Sequence, residues 1–357
     1  MKEKKAWNAK KIIWYLLIAA LVIYVSTNKY YIIIGSNAII NAIAVLGIII
    51  ISGYAKQLHL GQMAFVGIGA YTTGILMTKY GLPFLITIPI GMVLSALLGW
   101  VLAIPTLKLK GGSYLALVTQ IFGEIIYVLI LNMEWLTSGA FGISGIRAPK
   151  IGPVDLGQRQ PFYFFLIICL GIVYFLLKRI VNSKYGRFFM SVRESEDAAE
   201  SLGINTRTYK TVAFMIAATV AGFAGSLYAV NLRYLSPEQF RWSPSLTLVS
   251  MAIVGGLYDL KGGVIGSIIL TVLPEVLRFS DSFRMIAYGV IVILVLAFLP
   301  NGLISLSGKS LKEIKKMFAD QWDLLSDKTL RQKKALVKAA RQNVKADMVS
   351  QKSQTEG

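Results

Sequence analysis

Ten long intervals of this sequence pass without Lys, Arg, Asp or Glu, save one acid in two of them. No water-soluble architecture has use for so many. They run from Ile12 to Asn28, Tyr30 to Ala55, Gln57 to Thr78, Tyr80 to Leu107, Gly111 to Met133, Gln160 to Leu177, Thr211 to Leu232, Trp242 to Tyr258, Gly262 to Leu277 and Met285 to Gly308. A hydrocarbon core about 30 Å thick takes about 20 helical residues at about 1.5 Å rise. The pattern therefore predicts an all-α, polytopic membrane helix bundle of about ten transmembrane segments. The two shortest, Trp242 to Tyr258 and Gly262 to Leu277, are separated only by Asp259, Leu260 and Lys261. Read as a re-entrant pair, they bring the count of full spans to eight. A hydrophobic fraction of 55% and a mean hydropathy of +0.62 agree with a membrane protein.

Either count is even and places both termini on one side, and cationic flanks mark the cytoplasmic side. Lys2, Lys4, Lys5, Lys10 and Lys11 precede the first interval, and Lys309, Lys312, Lys315 and Lys316 follow the last. The expectation is a multi-pass protein of a bacterial-type cell membrane with both termini cytoplasmic. A membrane domain covers 1–308 and a basic cytoplasmic tail 309–357. Lys56, Lys108, Lys110 and the charged insert at 178–210 then face inward, while Trp135 to Gln158 and Arg233 to Arg241 face outward. The net charge of +19 is the cationic excess of cytoplasmic loops, and no basic stripe interleaved with aromatics points to nucleic acid. The opening basic and apolar stretch resembles a signal sequence, but its weak cleavage site and nine further intervals make it a retained first helix. In the tail, Leu311, Ile314, Phe318, Trp322 and Leu325 share a helical face suited to the membrane interface, so lipid is an expected partner.

Catalytic chemistry finds little support. His59 is the only histidine, which excludes a multi-histidine metal site, and it reads as a satisfied interfacial residue. Cys169 is the only cysteine and makes no disulfide within the chain. "PNGLISLSGKS" ends like a phosphate-binding loop, but Leu303 stands where that loop needs its first glycine. No cofactor or metal is expected. Small residues recur at close spacing instead: Gly61, Gly67, Gly69 and Gly74; Ala217, Ala221 and Gly225; Gly262 and Gly266. Such spacing lets helix backbones approach.

A charge at the centre of a membrane helix costs roughly 2.5–3.5 kcal/mol on insertion scales, so Glu124 in "VTQIFGEIIYVLI" needs a reason. Two readings stand. Glu124 accepts hydrogen bonds from a neighbouring helix and anchors the bundle, or it lines a translocation path together with Gln62 and Thr119. Glu275, beside Pro274 near the end of its interval, reads as structural and interfacial.

One stretch breaks the apolar rule. "YGRFFMSVRESEDAAESLGINTRTYK", Tyr185 to Lys210, carries both charges densely. A helix from about Arg193 to Leu202 has acids at 194, 196, 197 and 200, a small apolar face of Ala198, Ala199 and Leu202, and Gly203 as its C-cap. So short a helix is unstable alone and needs a surface to dock on.

Asp197-Ala198-Ala199 followed by Gly203 resembles the EAA loop of ABC-importer permeases. Along the chain "LGQMAFVGIGAYTTGIL", "GGSYLALVTQIFGEII", "TSGAFGISGI", "GRFFMSVRESEDAAESLGIN", "SPEQF", "VGGLYDLKGGVIGS" and "LPNGL" stand in family order. Over about residues 35–305 the chain is similar to the high-affinity branched-chain amino acid ABC transporter permease family (LivM-like). The resemblance implies an ABC-importer permease fold and a non-catalytic subunit that forms the translocation path. It implies ATPase coupling through Arg193, Glu194, Asp197, Ala198, Ala199, Leu202 and Gly203. It further implies a heterodimer with a second related permease subunit, two cytoplasmic ATPase subunits, an extracytoplasmic substrate-binding protein and a small amino-acid substrate.

The chain also departs from the family. Leu58-His59-Leu60-Gly61-Gln62 replaces the usual Leu-Ser-Leu-Gly-His, and Gly112-Ser113-Tyr114 replaces a segment beginning Gly-Asp-Tyr. Ala140-Phe141-Gly142 and Lys261-Gly262-Gly263 stand for the usual Pro-Asn-Gly and Trp-Gly-Pro. These changes leave the ligand open, since the wider family also moves urea and short amides. A stand-alone secondary transporter or channel is the reading from another class.

Overall fold

The computed structural model describes residues 25–26, 28–106, 112–151, 154–277, 281–299 and 302–306. Most of the first apolar interval and the whole tail from 309 lie outside the described residues. Helix α1 (Lys29–Ile48) starts at Asn28, whose side chain accepts from the Tyr30 amide, and runs on through a π-helical turn, Ile49–Tyr54. After an irregular stretch come α2 (Gln62–Thr78), α3 (Phe84–Thr106), α4 (Gly112–Asn132) and α5 (Arg159–Val181). Two short helices, α6 (Lys184–Glu194) and α7 (Glu196–Ser201), precede α8 (Thr206–Leu232), α9 (Trp242–Gly255), α10 (Leu260–Val276) and α11 (Asp281–Phe298).

Five helices among the described residues are long and apolar enough to cross a membrane: Lys29–Tyr54, Phe84–Pro105, Tyr114–Asn132, Arg159–Val181 and Thr206–Leu232. The protein is a polytopic helical bundle. α9 and α10 are shorter, at 14 and 17 residues, and pack on each other. At about 1.5 Å per residue, α9 falls short of a bilayer core.

The centre of the bundle is α8, which packs on α3, α2 and α1. Its small residues make this possible. A Cβ at Gly225 would strike the Val66 carbonyl on α2, and one at Gly69 on α2 would strike the Gly222 backbone on α8. Ala217, Ala221 and Ala224 are fully buried along the same helix. The spacing read from the sequence is therefore a packing seam.

At one end of the bundle the loops after α4 and α8 meet. Strand β1 (Ile143–Ser144) pairs antiparallel with β4 (Tyr234–Leu235), between which β2 (Lys150–Ile151) and β3 (Val154–Asp155) form a separate hairpin. The Arg233 guanidinium donates to the Gly157 carbonyl at 2.6 Å across the same end. α5 runs from this end to the charged insert at the other, and α8 runs back from it.

Candidate functional site

The insert between α5 and α8 is two helices joined at a corner, where a single helix from Arg193 to Leu202 was expected. Ser195 is the reason. It is extended (φ −156°, ψ 119°), ends α6, and its hydroxyl accepts from the Ala198 amide at 3.2 Å to start α7. A serine bonded forward in this way offers the backbone an alternative to continuing a helix. Glu196 and Asp197 fill the first turn, where negative charge suits the helix dipole. Gly203 (φ +79°) closes α7: its amide donates to the Glu200 carbonyl at 2.9 Å and the Ile204 amide to the Ala199 carbonyl at 3.0 Å. This is the paired-bond cap that favours glycine.

Polar contacts fasten α7 to α8. Glu196 pairs with Lys210, and the Thr206 hydroxyl donates to Glu200 at 2.6 Å, while Asn205 caps α8 by accepting from the Thr208 amide. Below, Phe189 and Val192 are buried and Phe188 lies 4.7 Å from the Tyr209 ring centroid. The mount is firm, although α7 has only six residues.

One element of the expected outward face is corrected. Ala199 is 2% exposed and turned into the chain, because α7 needs one small side against the bundle. Leu202, by contrast, is 79% exposed, and Glu194, Asp197, Ala198 and Gly203 are exposed with it. Arg193 is half-buried, 3.2 Å from Glu194, with its guanidinium carbon 4.5 Å from the centre of the Tyr258 ring.

Of the three candidate path residues, two share one place. The irregular stretch 55–61 folds back into the bundle, where the Leu60 amide donates to Thr119 on α4 at 3.0 Å. Gln62, fully buried at the start of α2, donates to the carbonyls of Ala44 at 2.9 Å and Ala217 at 3.5 Å, which ties α2 to α1 and α8. Glu124 looks elsewhere. Half-buried on α4, it accepts from the Trp242 amide at 3.3 Å, at the start of α9. That contact matches the anchoring reading, and a carboxylate suits a helix N-terminus. Nearby, the Tyr127 hydroxyl donates to Glu238, and Arg241 stacks over the Tyr127 ring at 5.0 Å. Glu275 accepts from the Tyr30 hydroxyl, a bond between α10 and α1.

His59 overturns its sequence reading as an interfacial residue. It is 0% exposed, 5.7 Å from the Phe65 ring centroid and 5.6 Å from that of Phe214, and the Gln62 side chain is a polar neighbour that stops short of a well-formed hydrogen bond to its ring nitrogens. The carbonyl oxygens of the buried Gln57 and Gln62 side chains likewise lack a well-formed hydrogen bond. Buried polar atoms are almost always paired, so three such side chains within six residues mark the break at 55–62 as unusual. Non-helical backbone at membrane depth is tolerated where protein buries it or where it lines a cavity. Lys56 marked the boundary between two spans in the sequence, but nothing local told that the stretch joining them would fold inward. No group of three or more metal-ligating side chains occurs among the described residues.

The family described as branched-chain amino acid transport system / permease component matches residues 30–299. The chain is 32% identical over 290 residues, 75% of its length and 68% of the relative's, to the high-affinity branched-chain amino acid transport system permease protein LivM of Escherichia coli K12. It is 31% identical over 302 residues, 78% of its length and 71% of the relative's, to the protein of the same description in Salmonella typhimurium. A probable LivM of Methanocaldococcus jannaschii is 25% identical over 240 residues, covering 60% of this chain and 67% of that one. No solved structure matches.

Proposed function

The chain belongs to the branched-chain amino acid transport system permease family, and from that premise we propose how it works: as the membrane-spanning subunit of an ATP-driven importer of leucine, isoleucine and valine, driven through α7. It pairs with a second, related permease. Two cytoplasmic ATPases serve the pair, one of them docking on this insert, and an extracytoplasmic binding protein delivers substrate at the end where β1 and β4 meet. Both termini lie in the cytoplasm. ATP hydrolysis belongs to the partners, and this chain contributes the path.

The observation that carries the reading is the mounting of α7. A helix of six residues is not stable alone; here it is pinned to the central helix by Glu196–Lys210 and Glu200–Thr206 while Ala198 and Leu202 face out. A rigid foot with an apolar toe suits a groove in a partner that closes and opens. Gln62 and Thr119 lie where the path would narrow, beside the break at 55–62.

The test is the reconstituted complex. Leucine, isoleucine or valine stimulates its ATPase activity, and Leu202→Arg reaches the membrane in wild-type amounts yet loses both ATPase association and stimulation. Stimulation by urea or short amides alone would reassign the substrate. Substrate flux through the isolated chain without ATPases would make it a stand-alone carrier and overturn the reading.

A further inference from the structure

Tyr258 sits in the turn between α9 and α10 and is 57% exposed, with the Arg193 guanidinium carbon 4.5 Å from its ring centroid. The turn that holds it has no slack. Gly256 closes α9 at φ +124°, ψ 102°, a conformation that side-chain-bearing residues rarely adopt. A Cβ at Gly53 would strike the Leu257 carbonyl, and one at Gly302 would come within 2.5 Å of the Gly256 backbone. Asp259 then starts α10 by accepting from the Lys261 amide at 2.8 Å. The turn is thus wedged between the residues around Gly302 and the π-helical turn Ile49–Tyr54, to which Gly53 belongs and on which α6 also packs. Beyond that π turn lies the break that holds His59 and Gln62.

We propose that Tyr258 is a positioning residue for transport: Arg193 pushes on its ring, and the close-packed α9–α10 turn passes the displacement of the insert to the π-helical end of α1. The inference rests on the importer reading and names the route from its ATPase-facing foot to its path. Three features carry it. A guanidinium over an aromatic face is an attraction that holds in both directions of travel. The glycine contacts leave no void to absorb movement, as packed interiors transmit strain. A π-helical turn has poorer hydrogen-bond geometry than the α-helix around it and is often found at functional sites.

The experiment uses the complete complex of two permeases, ATPases and binding protein, and reads substrate transported per ATP hydrolysed. Tyr258→Leu keeps wild-type membrane abundance and ATPase co-purification but lowers that ratio about three- to fivefold, the range of an exposed cation–π contact, and Arg193→Gln, whose residue belongs to the ATPase-coupling insert, lowers the ratio by as much in the complexes that do assemble. Tyr258→Phe, which keeps the ring face, stays near the wild-type ratio. The double variant Arg193→Gln/Tyr258→Leu is no worse than either single, as expected for two ends of one contact. An unchanged ratio in Tyr258→Leu, or a double variant with the product of the single losses, overturns the proposal while leaving the importer reading intact. A wild-type chain that fails to bind ATPases overturns both.

Discussion

The insert hangs between two helices of opposite character. α5, which enters it, is the more apolar, yet only 17% of its most apolar stretch is buried; α8, which leaves it, has 67% buried. In water the order would be reversed. In a bilayer the lipid tails are as apolar as leucine, so burial between helices follows small size rather than hydrophobicity. α8 has Ala217, Ala221, Gly222, Ala224 and Gly225 buried against its neighbours, while α5 turns Ile168, Ile172, Phe175 and Leu176 outward. The insert therefore has one support on the outside of the bundle and one fixed in the core, and its ion pair goes to the fixed one.

The largest expected effect tests that division with one substitution made twice. Gly225→Ala places a methyl against the Val66 carbonyl and destabilises the bundle by about 1–3 kcal/mol, the usual cost of overpacking. Gly171→Ala on α5 meets nothing within 4 Å and should stabilise by up to about 1 kcal/mol through helix propensity. Unfolding midpoints in one detergent compare the two. Equal shifts of the same sign would end the distinction between core and outer helix.

A smaller effect concerns polar groups beside each kind of helix. His59 abuts Phe214 of the central α8 with no well-formed hydrogen bond to its ring nitrogens, the Gln62 side chain being a loose polar neighbour, whereas Glu124, on α4, accepts from the Trp242 amide. Removing an unpaired buried polar group relieves a desolvation cost, while removing a paired acceptor leaves a donor behind. His59→Leu should thus hold or raise stability, by up to about 1 kcal/mol, and Glu124→Ala should lower it by about 1 kcal/mol. Transport sharpens the contrast, since His59→Leu is expected to impair it without unfolding the protein. Wild-type transport in His59→Leu would mean the break is only scaffold.

Much of this was legible in the sequence because the bilayer imposes a strong one-dimensional signal. Uncharged intervals located the long helices, and spacing of four at Ala217, Ala221 and Gly225 located the central seam. Gly203 announced its turn, since a helix end in the left-handed region favours glycine. Other features required the third dimension. Ser195 followed by Glu196 and Asp197 is a capping signal that in retrospect marked the corner in the insert. Nothing local, however, told which side of a two-turn helix would be pressed against the bundle, so Ala199 was placed outward with Leu202. The burial of His59 was hidden for a related reason: a histidine beside the start of a span looks interfacial until the stretch 55–61 is seen to fold inward.

The smallest effect tests whether the insert is fastened to the core helix, as its contacts indicate. Glu196 is half exposed, while Lys210 on α8 is largely covered, with side chains 50% and 12% accessible. Such a pair contributes about 0.2–1 kcal/mol, because water screens it and two long side chains must be held still. Glu196→Gln should therefore speed amide hydrogen exchange in α7 only about two- to fivefold, by the same arithmetic. Salt supplies the control. Raising ionic strength should speed exchange of α7 in the wild type toward the variant's rate and leave the variant nearly unchanged, since screening acts on the pair that the variant lacks. Amides of α5 near Lys178 should not respond to the substitution, because the pair runs to α8 alone. If α5 and α7 loosen together, the insert is carried by the outer helix, and the firm foot on which ATPase coupling depends is lost.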